Sequence, residues 1–187
     1  MDVCLQPTHH LYKRQTNITV ITNIKEKPIL QAFNNPLLKL KYERVNIIIT
    51  SINQIPYLKT KEVQSFDIVC AICNSPEIAR ACSGFVDLVQ LHPSQLSMTF
   101  LSAINDQGTQ VEILINNINF KFLDFIRRIS RNGKGVIFTG SQLSFQDKQI
   151  FLEVLGYNLQ TIKKYELKLL KSCASRKYRA CDGVGFL

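Results

Sequence analysis

The sequence predicts an α/β domain: a compact barrel of seven or eight mostly parallel strands with shortened crossovers, spanning 1–187 as a single unit. Three observations carry this expectation. Short β-branched runs recur at starts mostly 20–27 residues apart, the length of a strand plus a crossover helix and its loops. Each run is nearly continuous in hydrophobicity rather than alternating, as in strands buried on both faces of a parallel sheet. And 187 residues, 45% hydrophobic and 20% charged, with only 8 Gly and 6 Pro, suffice for one well-buried domain. That composition excludes disordered, collagen-like and low-complexity chains.

The strand runs fall at 3–5, 18–21, 45–49, 66–72, 86–91, 111–115 and 136–138, with an eighth candidate at 184–187. Between them, helices can be argued singly. Ser94, after His92-Pro93, is the expected N-cap of a helix carrying Leu96, Phe100, Leu101 and Ile104 and ending before Gly108. Phe122, Phe125, Ile126 and Ile129 form an apolar stripe with Arg127, Arg128 and Arg131 on other faces, stopped by Asn132-Gly133. Ser144 caps an expected helix bearing Ile150, Phe151, Val154 and Leu155, closed by Gly156. A last helix starts near Thr161 and runs through Leu167 and Leu170 to about Cys173. The crossovers at 75–84 and before Pro28 have room for one or two turns only.

The charge is concentrated. The net charge is +9, with 23 Lys plus Arg against 14 Asp plus Glu. Residues 121–134 hold Lys121, Arg127, Arg128, Arg131 and Lys134 against Asp124; residues 163–179 hold seven cations, Arg176, Lys177 and Arg179 among them, against Glu166. These two segments carry the whole excess, which points to a polyanionic partner, nucleic acid before any other. No apolar run approaches the roughly 20 residues that span a bilayer, and no signal-peptide core follows Met1. The expectation is a soluble, intracellular protein without a membrane partner, its six Cys free thiols.

An enzyme reading fares poorly. Chemistry in an α/β barrel sits at the C-terminal ends of the strands. Those ends read Gln6, Thr22, Ser51, Cys73-Asn74, His92, Asn116 and Ser141, whereas Asp2, Asp67 and Asp87 fall at strand starts and Glu112 early in its strand. A metal-dependent hydrolase needs several carboxylates or imidazoles converging there, so no catalytic residue, metal or cofactor is expected. Cys70-Ala-Ile-Cys73 lies inside an expected buried strand and reads as core packing; His9-His10 reads as loop; Ser141 lacks the G-x-S-x-G elbow. No glycine-rich phosphate loop follows a strand.

The order of segments resembles the thirty-kilodalton protein subunit family of ribonuclease P and ribonuclease MRP. Met1-Asp2-Val3-Cys4-Leu5-Gln6-Pro7 is similar to the family's opening strand, and Phe66-Asp67-Ile68-Val69 to its aromatic-Asp-Leu/Ile-Val strand. Gln107-Gly108-Thr109-Gln110-Val111-Glu112-Ile113 matches the spacing of its Arg-Gly-x-x-Phe/Leu-Glu-Ile run. Gly135-Val136-Ile137-Phe138-Thr139-Gly140-Ser141 resembles its late strand, and Leu169-Leu170 followed by Arg176-Lys177 its basic C-terminal stretch. Cys4 stands for the opening Asp and Gln107 for the Arg before the central Gly, while the Arg-x-Pro-x-Asp stretch is missing, Lys148 being the nearest cation. The chain thus resembles a divergent, compacted member.

The resemblance implies a TIM-barrel-like fold and a non-catalytic subunit of an RNA-based endoribonuclease that removes the 5′ leader of precursor tRNA. The implied partners are ribonuclease P RNA, a small RRM-like protein subunit, the other subunits of the particle and, indirectly, precursor tRNA. The implied localisation is the nucleus, in particular the nucleolus. Arg127, Arg128, Arg131, Lys134, Lys148, Arg176, Lys177 and Arg179 are the expected RNA-contacting residues, acting on phosphates. Arg176, Lys177 and Arg179 are expected to be exposed, so that replacing them leaves stability nearly unchanged. Two rival readings remain open: a degenerate barrel metal-dependent hydrolase, and a basic protein-interaction module.

Overall fold

A computed structural model describes residues 16–21, 42–114, 120–131, 136–139, 150, 153–158, 160, 169, 172–173 and 176. The expected strands at 3–5 and 184–187 and the Ser144 cap lie outside them, as does most of the Thr161 helix. Six strands form one sheet: β1 (Thr16–Ile21), β2 (Tyr42–Ile49), β3 (Ile68–Cys73), β4 (Leu88–Gln90), β5 (Gln110–Leu114) and β6 (Val136–Thr139). They pair in sequence order, β1-β2-β3-β4-β5-β6, every pair parallel. Among the described residues the sheet is open, with β1 and β6 as its edges. The α/β parallel sheet expected from the hydrophobic runs is present, but among the described residues it does not close into the expected barrel.

Register assigns each strand residue to a face, because partnered Cα atoms in a parallel pair share a pleat. One row runs Val45, Ile47 and Ile49; Val69, Ala71 and Cys73; Val89; Val111 and Ile113; Val136 and Phe138. All are buried. Against this row pack α3 (Pro76–Cys82) through Ile78, Ala79 and Cys82, and α4 (Met98–Asp106) through Phe100, Leu101 and Ile104. Two single-turn helices, α1 (Ile55–Leu58) and α2 (Lys61–Gln64), bridge β2 to β3, and α5 (Phe120–Arg131) bridges β5 to β6.

The other row is mixed: Arg44 and Asn46, Ile68 and Cys70, Leu88 and Gln90, Gln110 and Glu112. Arg44 and Glu112, both buried, form a two-pronged ion pair, Nη1 to Oε1 at 2.9 Å and Nη2 to Oε2 at 2.7 Å. β3 and β4 lie between their strands, a span of about 14 Å in a flat sheet. Contact across that span draws the sheet into a curve, concave on the Arg44–Glu112 side. Arg44 Nε also donates to Asn46 Oδ1 at 2.6 Å, and the Cys70 thiol donates to Glu112 Oε2 at 3.6 Å. Burial is the largest single influence on the Arg44 guanidinium and pulls it down, but Glu112 and Cys70 together outweigh it and hold the group above its ordinary value. The strands are therefore not apolar on both faces: the interior of the curve holds the paired Arg44, Asn46, Cys70 and Glu112 beside buried Ile68 and Leu88.

Two expected boundaries shift. Ser97, not Ser94, caps α4, its Oγ accepting from Phe100 N at 3.1 Å. Pro93–Gln95 forms a separate 3-10 turn capped by His92, and Leu96 follows it in extended conformation. Within the expected helix ending at Gly156, Leu155 is buried, but Ile150 and Val154 are 60% and 66% exposed, so they are not part of an inward stripe. Gly108, at φ +81°, supplies the left-handed residue just past α4.

Candidate nucleic-acid interface

The sequence of α5 separates its faces. Ile126 and Ile129 are buried, and Leu123 and Phe125 pack on the core. Asp124, Arg127 and Arg128 are exposed. Spaced three and four apart, residues 124, 127 and 128 share the helix side turned from the core. Arg127 Nη1 lies 4.0 Å from Asp124 Oδ1, a solvated i,i+3 pair that leaves Arg127 47% exposed. Such a pair contributes at most about 1 kcal/mol and does not prevent a guanidinium from turning to a phosphate. Because α5 connects two adjacent parallel strands, it runs back against them. Its Arg-bearing end therefore lies at the N-terminal ends of the strands, and Arg131 is its last residue.

Of the other expected RNA contacts, Lys134, Lys148, Lys177 and Arg179 lie outside the described residues. Arg176 requires a correction: it is only 4% exposed and faces inward. Its Nε donates to Asp87 Oδ1 and Oδ2, both at 2.9 Å. Nη1 donates to Gln64 O at 3.1 Å and Gln64 Oε1 at 3.0 Å, and Nη2 to the carbonyls of Phe66 at 2.9 Å and Asp67 at 3.2 Å. Asp87, fully buried, also accepts from Val69 N at 2.8 Å. The physical reason is geometric. The loops entering β3 and β4 turn three carbonyls and the Asp87 carboxylate toward one point, and a planar guanidinium with its five donors reaches all of them at once. Ser172 Oγ donates to Gly108 O at 2.5 Å, fastening the same segment beneath β5. Burial pushes the neighbouring Cys173 thiol up, and Asp87 adds to the shift.

Among the described residues, the C-terminal ends of β2, β3 and β4 are uncharged. Thr50 and Ser51 follow β2, Cys73 ends β3 with Asn74 beyond it, and His92 follows β4. Ser51 and Gln54 form a capping box. His92 Nδ1 lies 2.7 Å from Ser94 Oγ, and the ring stands edge-on to Phe122 at 5.7 Å. Asp67 and Asp87 sit at strand starts, as the sequence order requires. Among the described residues no group of three His, Cys, Asp or Glu could hold a metal ion. Cys70 and Cys73 are buried in β3, and burial pushes Cys70 up while Arg44 partly opposes it. A hydrogen bond with Cys82, reinforced by burial, raises Cys73; the same bond lowers Cys82 against the opposing effect of burial. No described helix is long and apolar enough to cross a membrane.

Comparison with known proteins bears on the fold. No family model matches the chain, and no curated protein does. Among solved structures, the chain is similar to one from the cryo-electron-microscopy structure of archaeal ribonuclease P with mature tRNA. The TM-score is 0.62 at 18% identity, over 91% of this chain and 85% of that one. At that identity the likeness is one of architecture.

Proposed function

We propose that this protein is a non-catalytic subunit of a ribonuclease P particle, and of the related ribonuclease MRP, as a divergent relative of the thirty-kilodalton subunit. The carrying observation is the likeness over 91% of the chain to a chain of archaeal ribonuclease P. The exposed Arg127 and Arg128 on α5 support an RNA partner, since arginine binds phosphates in two-pronged fashion. Completion of a closed TIM-barrel-like sheet would fall to residues outside 16–139. In this reading the partners are the particle's RNA, a small RRM-like subunit and further subunits, with precursor tRNA engaged indirectly, and the site of action is the nucleus or, in a cell without one, the cytoplasm. Catalysis belongs to the RNA.

Pull-down of the tagged native protein, followed by sequencing of its bound RNA, tests this. Enrichment of ribonuclease P RNA is the expected result, with accumulation of precursor tRNA bearing 5′ leaders when the protein is depleted. Absence of both overturns the reading, and a polypeptide partner without RNA would favour the interaction module instead.

A further inference from the structure

We propose that the starts of β3 and β4 form a preorganised socket for a planar guanidinium group, which Arg176 fills as an intramolecular ligand and which takes an alkylguanidinium from solution once the Arg176 side chain is removed. The inference is independent of the RNA reading above. It concerns the chemistry by which the C-terminal segment is held to the sheet.

The acceptors of the socket are held by groups other than Arg176. Asp87 N donates to Val69 O at 2.9 Å, and Asp87 O accepts from Gln110 N at 2.9 Å, so this residue is fixed from the strands on both sides. Its Oδ2 accepts from Val69 N at 2.8 Å, which sets the orientation of the carboxylate. Gln64 Nε2 donates to Leu58 O at 2.5 Å and to Phe85 O at 3.1 Å. Two carbonyls can be met only by the amide nitrogen, so Gln64 Oε1 is left turned toward the cation. Phe66 is buried and its N donates to Val63 O at 3.3 Å, fixing the turn that carries the carbonyls of Phe66 and Asp67.

The arrangement selects for a delocalised planar cation. Three nitrogens of one guanidinium meet the Asp87 carboxylate, the Gln64 amide oxygen and three backbone carbonyls, all at 2.9–3.2 Å. An ammonium directs its three donors from a single point and cannot span that set. Asp87 is fully buried, so a cation in the socket neutralises a carboxylate that water does not reach. The rest of the segment supplies tethering. Leu169, Ser172, Cys173 and Arg176 are helical and spaced three and four apart, so they share one face. Leu169 and Cys173 are buried, and Ser172 Oγ donates to Gly108 O. That face delivers Arg176 to Asp87, 89 residues away in sequence. Being tethered, Arg176 outcompetes a free cation of the same chemistry.

The test is chemical rescue of the full-length Arg176→Ala chain by methylguanidinium chloride, read as Tm at constant ionic strength. Tm is expected to rise saturably with millimolar methylguanidinium, by about 3–6 °C at tenfold the half-saturating concentration. Ammonium chloride is expected to move it by less than about 1 °C, and so is methylguanidinium added to the wild type, whose socket is filled. Arg176→Ala/Asp87→Asn, with no buried carboxylate to neutralise, is expected to lose the rescue. Where Arg176→Ala is unfolded at the outset, Arg176→Met, which keeps the packing of the side-chain stem, carries the same titration. A rise no larger than that given by ammonium, an equal rise in the wild type, or a rescue that survives loss of the Asp87 carboxylate overturns the proposal. So does failure of methylguanidinium to fold or stabilise either host.

Discussion

Arg44 and Glu112 meet through two hydrogen bonds although β3 and β4 separate their strands. The pair ties the two halves of the sheet together across its concave side, and both partners are removed from water. Glu112→Ala leaves a buried guanidinium uncompensated, which costs about 3–5 kcal/mol. Chemical denaturation should show that loss. Replacing both by apolar residues of similar volume should be far milder, because neither charge is then stranded. A double variant as unstable as Glu112→Ala would contradict this account.

Arg176 should behave as a stability residue. Arg176→Ala strands the Asp87 carboxylate and the acceptors on Gln64, Phe66 and Asp67, a loss of about 3–5 kcal/mol. For a domain of this size that lowers Tm by roughly 6–20 °C. Arg176→Lys should recover only part of it, since an ammonium is a point charge that cannot reach the carboxylate and three carbonyls together. Calorimetry on the two variants decides; an unchanged Tm in Arg176→Ala would refute the buried position.

Much of the sheet was legible because parallel strands announce themselves as β-branched runs at crossover spacing. Val45-x-Ile47-x-Ile49 and Val111-x-Ile113 fall where their strands do. The same runs concealed the polar interior: Arg44-x-Asn46 and Gln110-x-Glu112 alternate with the apolar row, a period-two signal that marks two unlike faces. Arg176 was illegible in a different way. A cation inside a basic stretch looks solvated until the fold brings Asp87, 89 residues away, against it. The helix boundary at Ser97 was missed because Ser94 and Ser97 are both competent caps, and His92-Pro93 instead closes its own short turn.

The buried thiols predict a loss of stability at alkaline pH. Burial raises Cys70 and Cys173 above their ordinary range, so the folded chain retains protons that the unfolded chain releases. Their contribution is fully present below about pH 8.5, the ordinary thiol value, and declines as pH rises beyond it, by up to about 1.4 kcal/mol per pH unit for each thiol. Denaturation midpoints between pH 8 and 10 should fall in the wild type and fall less in Cys70→Ala/Cys173→Ala, compared slope against slope. Native-state thiol labelling should be slow at both positions.

The α5 arginines predict the reverse combination: binding without stability. Arg127 and Arg128 are exposed, and the 4.0 Å contact of Arg127 with Asp124 is a surface pair of little energetic weight. Arg127→Gln/Arg128→Gln should therefore move Tm by no more than about 1–2 °C, since surface changes of this kind stay within about 0.5 kcal/mol. If each guanidinium neutralises one phosphate, the slope of log affinity against log salt should become shallower by about 1.4–1.8, the range between single-stranded and duplex RNA-like charge densities. Affinity should drop most at low salt and converge with wild type as salt rises, because the counterions released by those two contacts are then no longer diluted into the solvent. A drop of equal size at every salt concentration would mean that the arginines hold a neighbouring protein surface or shape the helix rather than meet phosphates, and the RNA face would have to be sought elsewhere on the fold.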